Sequence, residues 1–248
     1  MSPNQDHRAS LGTWPTPLEP LPRLARALGL DAGDLWIKRD DLTGLGGGGN
    51  KLRKLEWTCG AALAEGATTL VTTGAPQSNH ARLTAAAGAR LGLDVVLVLA
   101  GEPGTSTSGN IALDGLLGAR IVWAGDHDPA ARAEEVADEL RSTGAIPAVI
   151  PFGGSSVLGA QGYVECAREL LDQAPDLDTV VTALDGWIST SFIAAKDGRQ
   201  VAIYSQWRDL RSVEAMQANP AMQAYFPRIA ALAAFDGFTG DVAYARHS

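Results

Sequence analysis

TTLVTTG at residues 68–74, SNHARLTAAAGARLG at 78–92 and VVLVLA at 95–100 are the three consecutive segments that decide the fold class. The first and third are short apolar runs, which are typical of strands buried on both faces of a sheet. The middle segment is rich in alanine and leucine and closes on Gly92, which is suited to end a helix. A strand, a helix and a strand in this order predict a βαβ unit with parallel strands.

The same alternation continues outward from these segments as far as residue 184. Pro129 stands where the first turn of a helix tolerates proline, and Gly144 is placed to end that helix. The predicted helices cover residues 110–118, 129–144 and 158–173, and the predicted strands cover 119–125, 148–154 and 178–184. The sequence therefore predicts an α/β fold with parallel sheets and flanking helices.

The pattern changes after residue 184. Two strand-like runs, 188–195 and 201–207, are separated by a short linker that contains Asp-Gly, which predicts an antiparallel hairpin. A helical run at 212–233 contains two prolines and should be broken or kinked. We therefore predict a domain boundary near residues 183–187.

Composition and charge exclude several classes of protein. The chain has 248 residues and a net charge of −8, which argues against nucleic acid as its main partner. It contains no uncharged apolar stretch of about 18 residues, so no membrane-spanning helix is expected. Cys59 and Cys166 are too few for a disulfide scaffold or a four-ligand zinc site. The first ten residues lack an apolar signal core, which favours the cytoplasm.

The glycine loop, defined here as residues 44–49, precedes Lys51 in the segment GLGGGGNKLRKLEW. Glycines before a helix let backbone N–H groups approach a ligand, and a helix start favours anions. A Walker-type loop is excluded, because the lysine comes one residue late and Leu52 offers no hydroxyl to magnesium. A dinucleotide fingerprint is excluded too, because no buried strand precedes the glycines at the right distance. On these residues alone, Lys51 is either a ligand-binding group or a solvated lysine beside a flexible loop.

A second polar cluster, GAPQSNHARL at residues 74–83, follows a predicted strand and opens a predicted helix. Ser78 is placed to cap that helix, a role that by itself accounts for the residue. The carboxyl ends of parallel strands are also where α/β folds bind ligands, so the cluster is a candidate site. His80 has no neighbours at metal-ligand spacing, which excludes a metal site, and the lack of a nucleophile elbow argues against a hydrolase triad. A single histidine of this kind is more often structural, and no role is assigned to it.

Five segments, taken together, carry a family resemblance: TPLEPLPRLARALG, LWIKRDDLTGLGGGGNKLRKLE, TLVTTGAPQSNHARLTAAAGARLGL, SGNIALDGLLGA and VIPFGGSSVLGAQGY. In order and spacing they resemble the D-cysteine desulfhydrase and 1-aminocyclopropane-1-carboxylate deaminase family. Its members are pyridoxal-phosphate enzymes of the tryptophan-synthase-β fold type. The resemblance covers about residues 16–182, and its GGNK-x-RKLE and QSNH motifs are highly specific.

This resemblance implies roles for particular side chains. Lys51 would form the Schiff base with pyridoxal 5′-phosphate and, once freed, would move protons at the substrate α-carbon. Asn79 would hydrogen-bond the ring oxygen of the cofactor, and Lys54 would contact its phosphate. Ser78 would meet the substrate carboxylate, which makes Lys51 and Ser78 the expected catalytic residues. Residues 153–155 would line the cleft, and no metal is implied.

The reactivity expected of Lys51 has a physical basis. An amine becomes nucleophilic when desolvation or nearby cations lower its pKa. Arg53 and Lys54 are close to Lys51 in sequence and are predicted to supply that positive charge.

The tail departs from this family. Family members continue past this length, and after the strand near DTVVTA they carry a glycine-rich phosphate loop, where this sequence reads LDGWISTSF. Residues 184–248 instead resemble the antibiotic biosynthesis monooxygenases, which are ferredoxin-like, dimer-forming oxygenases without a cofactor. The resemblance begins at the second strand of that fold, and Trp207 matches its strand-end tryptophan. The sequence thus predicts a truncated pyridoxal-phosphate region at 1–183 and a partial ferredoxin-like α+β tail at 184–248.

The expected function is that of a pyridoxal-phosphate-dependent lyase or deaminase acting on a small amino acid. D-cysteine desulfhydrase, which releases pyruvate, sulfide and ammonia, is the example that the resemblance implies. Two alternatives stay open, namely a cofactor-free oxygenase working through the tail as a dimer, and a catalytically silent fusion remnant. Truncation predicts impaired activity, because the phosphate loop and the partner of the ring nitrogen are missing. We expect a cytoplasmic homodimer that binds neither nucleic acid nor membrane.

Overall fold

A computed structural model describes residues 7–27, 29, 31–104, 108–176, 187–194 and 201–207, the last two ranges by their backbone alone. The chain divides into two compact units, Met1–Leu177 and Asp178–Ser248, which are described separately. The boundary predicted between residues 183 and 184 lies outside the described residues, so the two predicted domains stay a prediction.

The first unit alternates strands and helices, as the sequence predicts between residues 68 and 173. Its strands are β1 (Leu18–Pro20), β2 (Trp36–Lys38), β3 (Thr69–Gly74), β4 (Asp94–Leu99), β5 (Arg120–Trp123) and β6 (Pro147–Ile150). Its helices are α1 (Pro22–Ala27), α2 (Lys51–Ala64), α3 (Asn79–Leu91), α4 (Asn110–Leu116), α5 (Pro129–Ser142) and α6 (Val157–Gln173). The strand predicted at 178–184 lies outside the described residues.

Four of these strands form a parallel sheet in the order β5-β4-β3-β6, and β1 and β2 form a separate antiparallel pair. Val71 in β3 pairs with Val96 of β4 on one side and with Val149 of β6 on the other. Because the four strands are parallel, their carboxyl ends lie at one edge, and the loops after β3 and β6 are neighbours there. The α/β class with a parallel sheet and flanking helices is thus confirmed.

The core has one layer on each face of this sheet, because alternate side chains of a strand point to opposite faces. Leu70 and Leu97 pack into the layer that holds Leu55 of α2, and Val71 packs into the layer that holds Val136 of α5. All five side chains are fully buried, and each contributes about 1.5–3 kcal/mol of transfer free energy. The continuous apolar strands of the sequence are therefore explained by burial on both faces.

Two details of the first unit differ from the sequence pattern. The strand predicted at 148–154 ends at Ile150, because residues 152–154 form a 3-10 turn in which Gly153 has a φ of 64°. In α2, the spacing of Leu52, Leu55, Cys59 and Leu63 predicts one buried face, but Leu63 is 39% exposed and Ala62 is buried in its place. Both differences occur at element ends, where pattern alone fixes a boundary poorly.

The second unit contains an antiparallel hairpin of β7 (Trp187–Ala194) and β8 (Val201–Trp207). The hairpin predicted from the Asp-Gly linker is therefore confirmed. The helix predicted at 212–233 lies outside the described residues. The likeness of the tail to a monooxygenase rests on sequence alone and stays a prediction.

Three further properties bear on function. No helix among the described residues is both long enough and apolar enough to cross a membrane. Within the same residues, no group of three acidic, histidine or cysteine side chains is placed to hold a metal ion. Cys59 and Cys166 are buried free thiols, and burial raises the pKa of Cys59 to about 12.

Candidate active site

The glycine loop turns the chain sharply into α2. Gly48 has a φ of 72°, and a Cβ there would overlap the carbonyl oxygen of Asp41, so a larger residue does not fit. The N–H of Gly49 donates to the carbonyl oxygen of Asp40 at 2.9 Å. This N–H therefore serves an internal turn that leads into α2.

Two half-buried lysines lie at the start of α2. Lys51 is the first residue of the helix, and Lys54 follows one turn later on the same side. The Lys54 Nζ donates to the Ser155 Oγ at 3.0 Å and lies 5.9 Å from the centre of the Tyr163 ring. The Tyr163 hydroxyl accepts from the Asn50 Nδ2 at 2.9 Å, which connects the helix start to α6.

The turn at residues 153–155 allows Lys54 to approach Ser155. Gly154 has a φ of 65°, and a Cβ there would lie 3.1 Å from the Lys54 Cβ and 3.5 Å from the His80 Cε1. A side chain at this position would therefore crowd both residues. Since the turn follows β6, the neighbour of β3, the sheet edge brings Ser155 and His80 to the same region.

The start of α3 presents two of the predicted site residues. Ser78 caps the helix, as predicted, and its Oγ accepts from the backbone N–H of Ala81 at 3.2 Å. Its hydroxyl hydrogen can still be donated to a ligand. The exposed Asn79 is the first helical residue, and its Oδ1 accepts from the Asn110 Nδ2 at 3.0 Å.

His80 is buried between the two lysines and the sheet. The Thr72 hydroxyl donates to the carbonyl oxygen of Ile150 at 2.8 Å, so it accepts from the His80 Nε2 at 2.9 Å. This network places the proton on Nε2 and leaves Nδ1 as an acceptor. Nδ1 is buried and has no hydrogen-bond partner in the described part of the chain. Burial, together with the smaller effect of the charges of Lys51 and Lys54, lowers the pKa of His80 to about 3.

We expect His80 to stay neutral, with its proton on Nε2, from pH 8 down to pH 5. The measurement is the pH dependence of the imidazole 13C and 1H chemical shifts of His80 by NMR. Its resonances are assigned as those that disappear from the spectrum of His80→Gln. The shifts should stay flat over this range and show the Nε2–H tautomer. A titration of His80 with a midpoint near its ordinary pKa of 6.5 would contradict the buried network.

The lowered pKa of His80 also affects the stability of the folded chain. Because the folded-state pKa of about 3 lies below the ordinary value of 6.5, the unfolded chain binds the extra proton first as the pH falls. The stabilisation is complete above pH 6.5 and declines towards pH 3 by up to about 1.4 kcal/mol per pH unit. The acid destabilisation of His80→Gln should therefore be shallower than that of the unchanged chain.

Arg53 does not supply the positive charge that its position in sequence predicts for Lys51. Its guanidinium is 2% exposed and contacts the carboxylates of Asp40 at 2.8 Å and Glu169 at 2.9 Å. It also lies 4.3 Å from the centre of the Trp14 ring. The charge of Arg53 is thus compensated on the far side of α2, and of the two predicted cations Lys54 is the one beside the site.

Glu56, like Arg53, makes structural contacts on the side of α2 that faces away from the two lysines. Its buried carboxylate accepts from the backbone N–H groups of Leu11 and Gly12 at 2.9 Å, and from the Trp14 Nε1 at 2.8 Å. Its second oxygen accepts from the Arg8 Nε at 2.6 Å. The arginine and glutamate of the RKLE segment therefore fix the N-terminal segment and the helix rather than a ligand.

The structure brings Lys51 and Lys54 together with His80 and the 153–155 turn, and it places Ser78 and Asn79 directly before His80. Three polar residues that support this site were not predicted from the sequence: Thr72, Arg82 and Asn110. Arg82 lies three residues after Asn79 on α3, a spacing at which side chains meet, so it could have been found from sequence. Thr72 could not be predicted as a site residue, because a threonine within an apolar strand has the sequence pattern of a core residue.

Comparison with known proteins agrees with this arrangement. Residues 9–188 match the family described as pyridoxal-phosphate dependent enzyme. D-cysteine desulfhydrase of Salmonella typhi is 48% identical over 178 residues, which are 68% of this chain and 53% of that protein. A crystal structure of an ACC deaminase homologue is 41% identical with a TM-score of 0.65, over 75% of this chain and 59% of that one.

A more distant structure shows the fold alone. A pyridoxal 5′-phosphate-dependent aspartate racemase is 24% identical with a TM-score of 0.54, over 69% of this chain and 50% of that one. The chain spans about half the length of the relatives that it matches. With a family match that covers most of its length and a parallel sheet that carries the matching motifs at one edge, the chain belongs to the family of pyridoxal-phosphate dependent enzymes.

Proposed function

We propose that this protein is a lyase or deaminase of the D-cysteine desulfhydrase type that acts on a small amino acid. For D-cysteine, the reaction consumes one water and yields pyruvate, hydrogen sulfide and ammonia. The observation that carries the proposal is the placement of Lys51 and Lys54 beside the buried, neutral His80. Family membership and the relatives named above support the same reaction class.

The residues present fit pyridoxal phosphate. Lys51 supplies the amine for covalent attachment, and Lys54, held at Ser155, supplies a positive charge for the phosphate. The amide nitrogen of Asn79 is the donor for the ring oxygen, because its Oδ1 already accepts from Asn110. Bound pyridoxal phosphate supplies a ring that accepts electrons from the substrate α-carbon.

The remaining roles belong to the protein itself. The Ser78 hydroxyl donates to the substrate carboxylate, because its oxygen is occupied by the helix cap. The Lys51 Nζ would remove the proton from the α-carbon, and the sulfur at the β-carbon would leave as hydrogen sulfide. His80 has a pKa of about 3 and therefore carries no proton to donate from Nδ1 at neutral pH. We infer that the imidazole shapes the site as a neutral acceptor and leaves proton transfer to Lys51.

We propose that the region at 1–183 carries this chemistry and that the tail at 184–248 is a separate domain. The change from parallel strands to an antiparallel hairpin supports this organisation. A homodimeric assembly and a cytoplasmic location stay predictions. The oxygenase alternative requires turnover that depends on oxygen and needs no cofactor, and a silent remnant requires no turnover at all.

We expect the purified chain, supplied with pyridoxal phosphate, to release pyruvate and sulfide from D-cysteine in equal amounts. Turnover should lie far below that of a full-length relative, because no glycine-rich phosphate loop follows the DTVVTA segment. Pyruvate is measured with lactate dehydrogenase, and 1-aminocyclopropane-1-carboxylate is tested in parallel for release of a 2-oxo acid.

Omission of pyridoxal phosphate and exclusion of oxygen are the two controls for this assay. Turnover should require the cofactor and should be unchanged without oxygen. Oxygen-dependent turnover without the cofactor would favour the oxygenase alternative. Absence of a product from every small amino acid tested at saturating cofactor would overturn the proposed activity.

A further inference from the structure

Arg82 connects three acceptors around the proposed cofactor site. It lies on α3, is 6% exposed, and points its guanidinium at the glycine loop. Its NH1 donates to the carbonyl oxygen of Gly46, and its NH2 donates to the carbonyl oxygen of Gly48 at 3.1 Å. The same NH2 lies 3.4 Å from the Asn79 Oδ1. One rigid fork of donors therefore joins the loop before Lys51 to the start of α3.

The orientation of the Asn79 amide follows from these contacts. Its Oδ1 faces two donors, the Arg82 guanidinium and the Asn110 Nδ2. An amide turned the other way would place its NH2 group against both donors and lose both contacts. The Oδ1 therefore faces the protein, and the Nδ2 group is left to donate outward.

The charge of Arg82 is matched on the helix that also supplies Asn110. Asp114 lies one turn after Asn110 on α4 and is fully buried. Neither of its carboxylate oxygens has a hydrogen-bond partner in the described ranges. Burial raises the pKa of Asp114, and the nearby charge of Arg82 opposes that rise. Asp114 thus compensates the charge of Arg82 at a distance, while NH1 and NH2 of the guanidinium donate to neutral acceptors. The buried Nε of Arg82 has no hydrogen-bond partner in the described ranges.

We propose that Arg82 is a positioning residue that holds the Asn79 amide with its Nδ2 group turned towards the cofactor and fixes the glycine loop before Lys51. The proposal rests on the proposed function only where it names the cofactor as the acceptor. The orientation of the amide is a property of the protein without any ligand. The glycine loop supports the assignment, because a Cβ at Gly47 would lie 3.0 Å from the Arg82 NH1.

Arg82→Lys is the decisive variant, because it keeps the positive charge near Asp114 but cannot reach three acceptors with one ammonium group. The first readout is the side-chain amide of Asn79 in 15N-correlated NMR spectra of the cofactor-free chain, assigned by its loss in Asn79→Ala. We expect a dispersed pair of resonances in the unchanged chain that collapses towards free-asparagine shifts in Arg82→Lys. Arg90→Lys, an exposed substitution on the same helix, should leave the pair unchanged.

The second readout is cofactor affinity, measured by equilibrium dialysis of pyridoxal phosphate. We expect Arg82→Lys to weaken binding about tenfold, the size of one lost hydrogen bond. In an Asn79→Ala background the same substitution should cost less than about threefold, because its target is gone. Arg82→Met serves as a second variant that removes the donors altogether, and thermal unfolding checks that each variant is folded.

The outcomes separate this inference from the proposed function. Native Asn79 resonances and native affinity in Arg82→Lys would overturn the inference, because charge compensation of Asp114 would then be the whole role. An equal loss of affinity in both backgrounds would overturn it as well. If Asn79→Ala binds the cofactor normally while the NMR result holds, Asn79 is positioned by Arg82 but is not a cofactor contact, and the proposed role of Asn79 fails.

Discussion

Lys51→Ala should abolish covalent attachment of pyridoxal phosphate. Borohydride reduction of the loaded chain, followed by trypsin and mass spectrometry, should place the pyridoxyl group on the peptide of residues 40–53. Trypsin cleaves after Arg39 and Arg53 and should fail to cleave at a modified Lys51. The variant lacks this label because no other amine occupies the first position of α2 after the glycine loop.

The expected loss of turnover in Lys51→Ala is at least about 10²–10⁴-fold, since the variant loses both the attachment point and the proton-transfer group. Lys51→Arg keeps a positive charge near His80 and should lose the label equally. Lys54→Ala should keep the label on the same peptide but need more cofactor to reach it. A label that persists unchanged in Lys51→Ala would show that another lysine holds the cofactor.

Glu56→Gln should lower the free energy of unfolding of the first unit by about 1–3 kcal/mol, the range for a buried donor left unsatisfied. The carboxylate faces donors at both oxygens: Arg8 at one, and Leu11, Gly12 and Trp14 at the other. An amide in either orientation places an NH2 group against a donor. The substitution therefore removes a hydrogen bond and leaves buried donors unsatisfied.

Urea unfolding followed by tryptophan fluorescence measures this loss, and hydrogen exchange of residues 9–14 shows whether the segment loosens first. Glu134→Gln is the matched control, because Glu134 is exposed on α5 and should change stability by less than about 0.5 kcal/mol. Equal urea midpoints for the two variants would show that the Glu56 network contributes little.

Much of the fold could be predicted because local signals and tertiary structure agree in this region. The apolar runs in β3 and β4 indicate strands, and Ser78 and Pro129 indicate helix starts, all of which the structure contains. The position of β6 next to β3 could not be predicted from local patterns, since sheet order depends on which faces pack together. The end of β6 at Ile150 depends on the 3-10 turn that follows it.

The candidate site could be predicted in part. Lys51, Lys54, Ser78 and Asn79 belong to motifs whose spacing resembles a known family, and their roles stay predictions. The state of His80 could not be predicted, because it depends on Thr72, which meets the imidazole only after the sheet forms. The prediction that Arg53 supplies positive charge near Lys51 was wrong, because closeness in sequence does not place two side chains on the same side of a helix.

The arrangement of α2 affects how inactive variants should be interpreted. At about 100° per residue, Lys51 and Lys54 project from one side of the helix, and Arg53 and Glu56 project from nearly the opposite side. A substitution on the second side acts on the amines only through the position of the whole helix. Loss of activity there should follow the fraction of folded protein, while loss on the first side should occur in fully folded protein. A screen that records activity alone would count both kinds as catalytic residues.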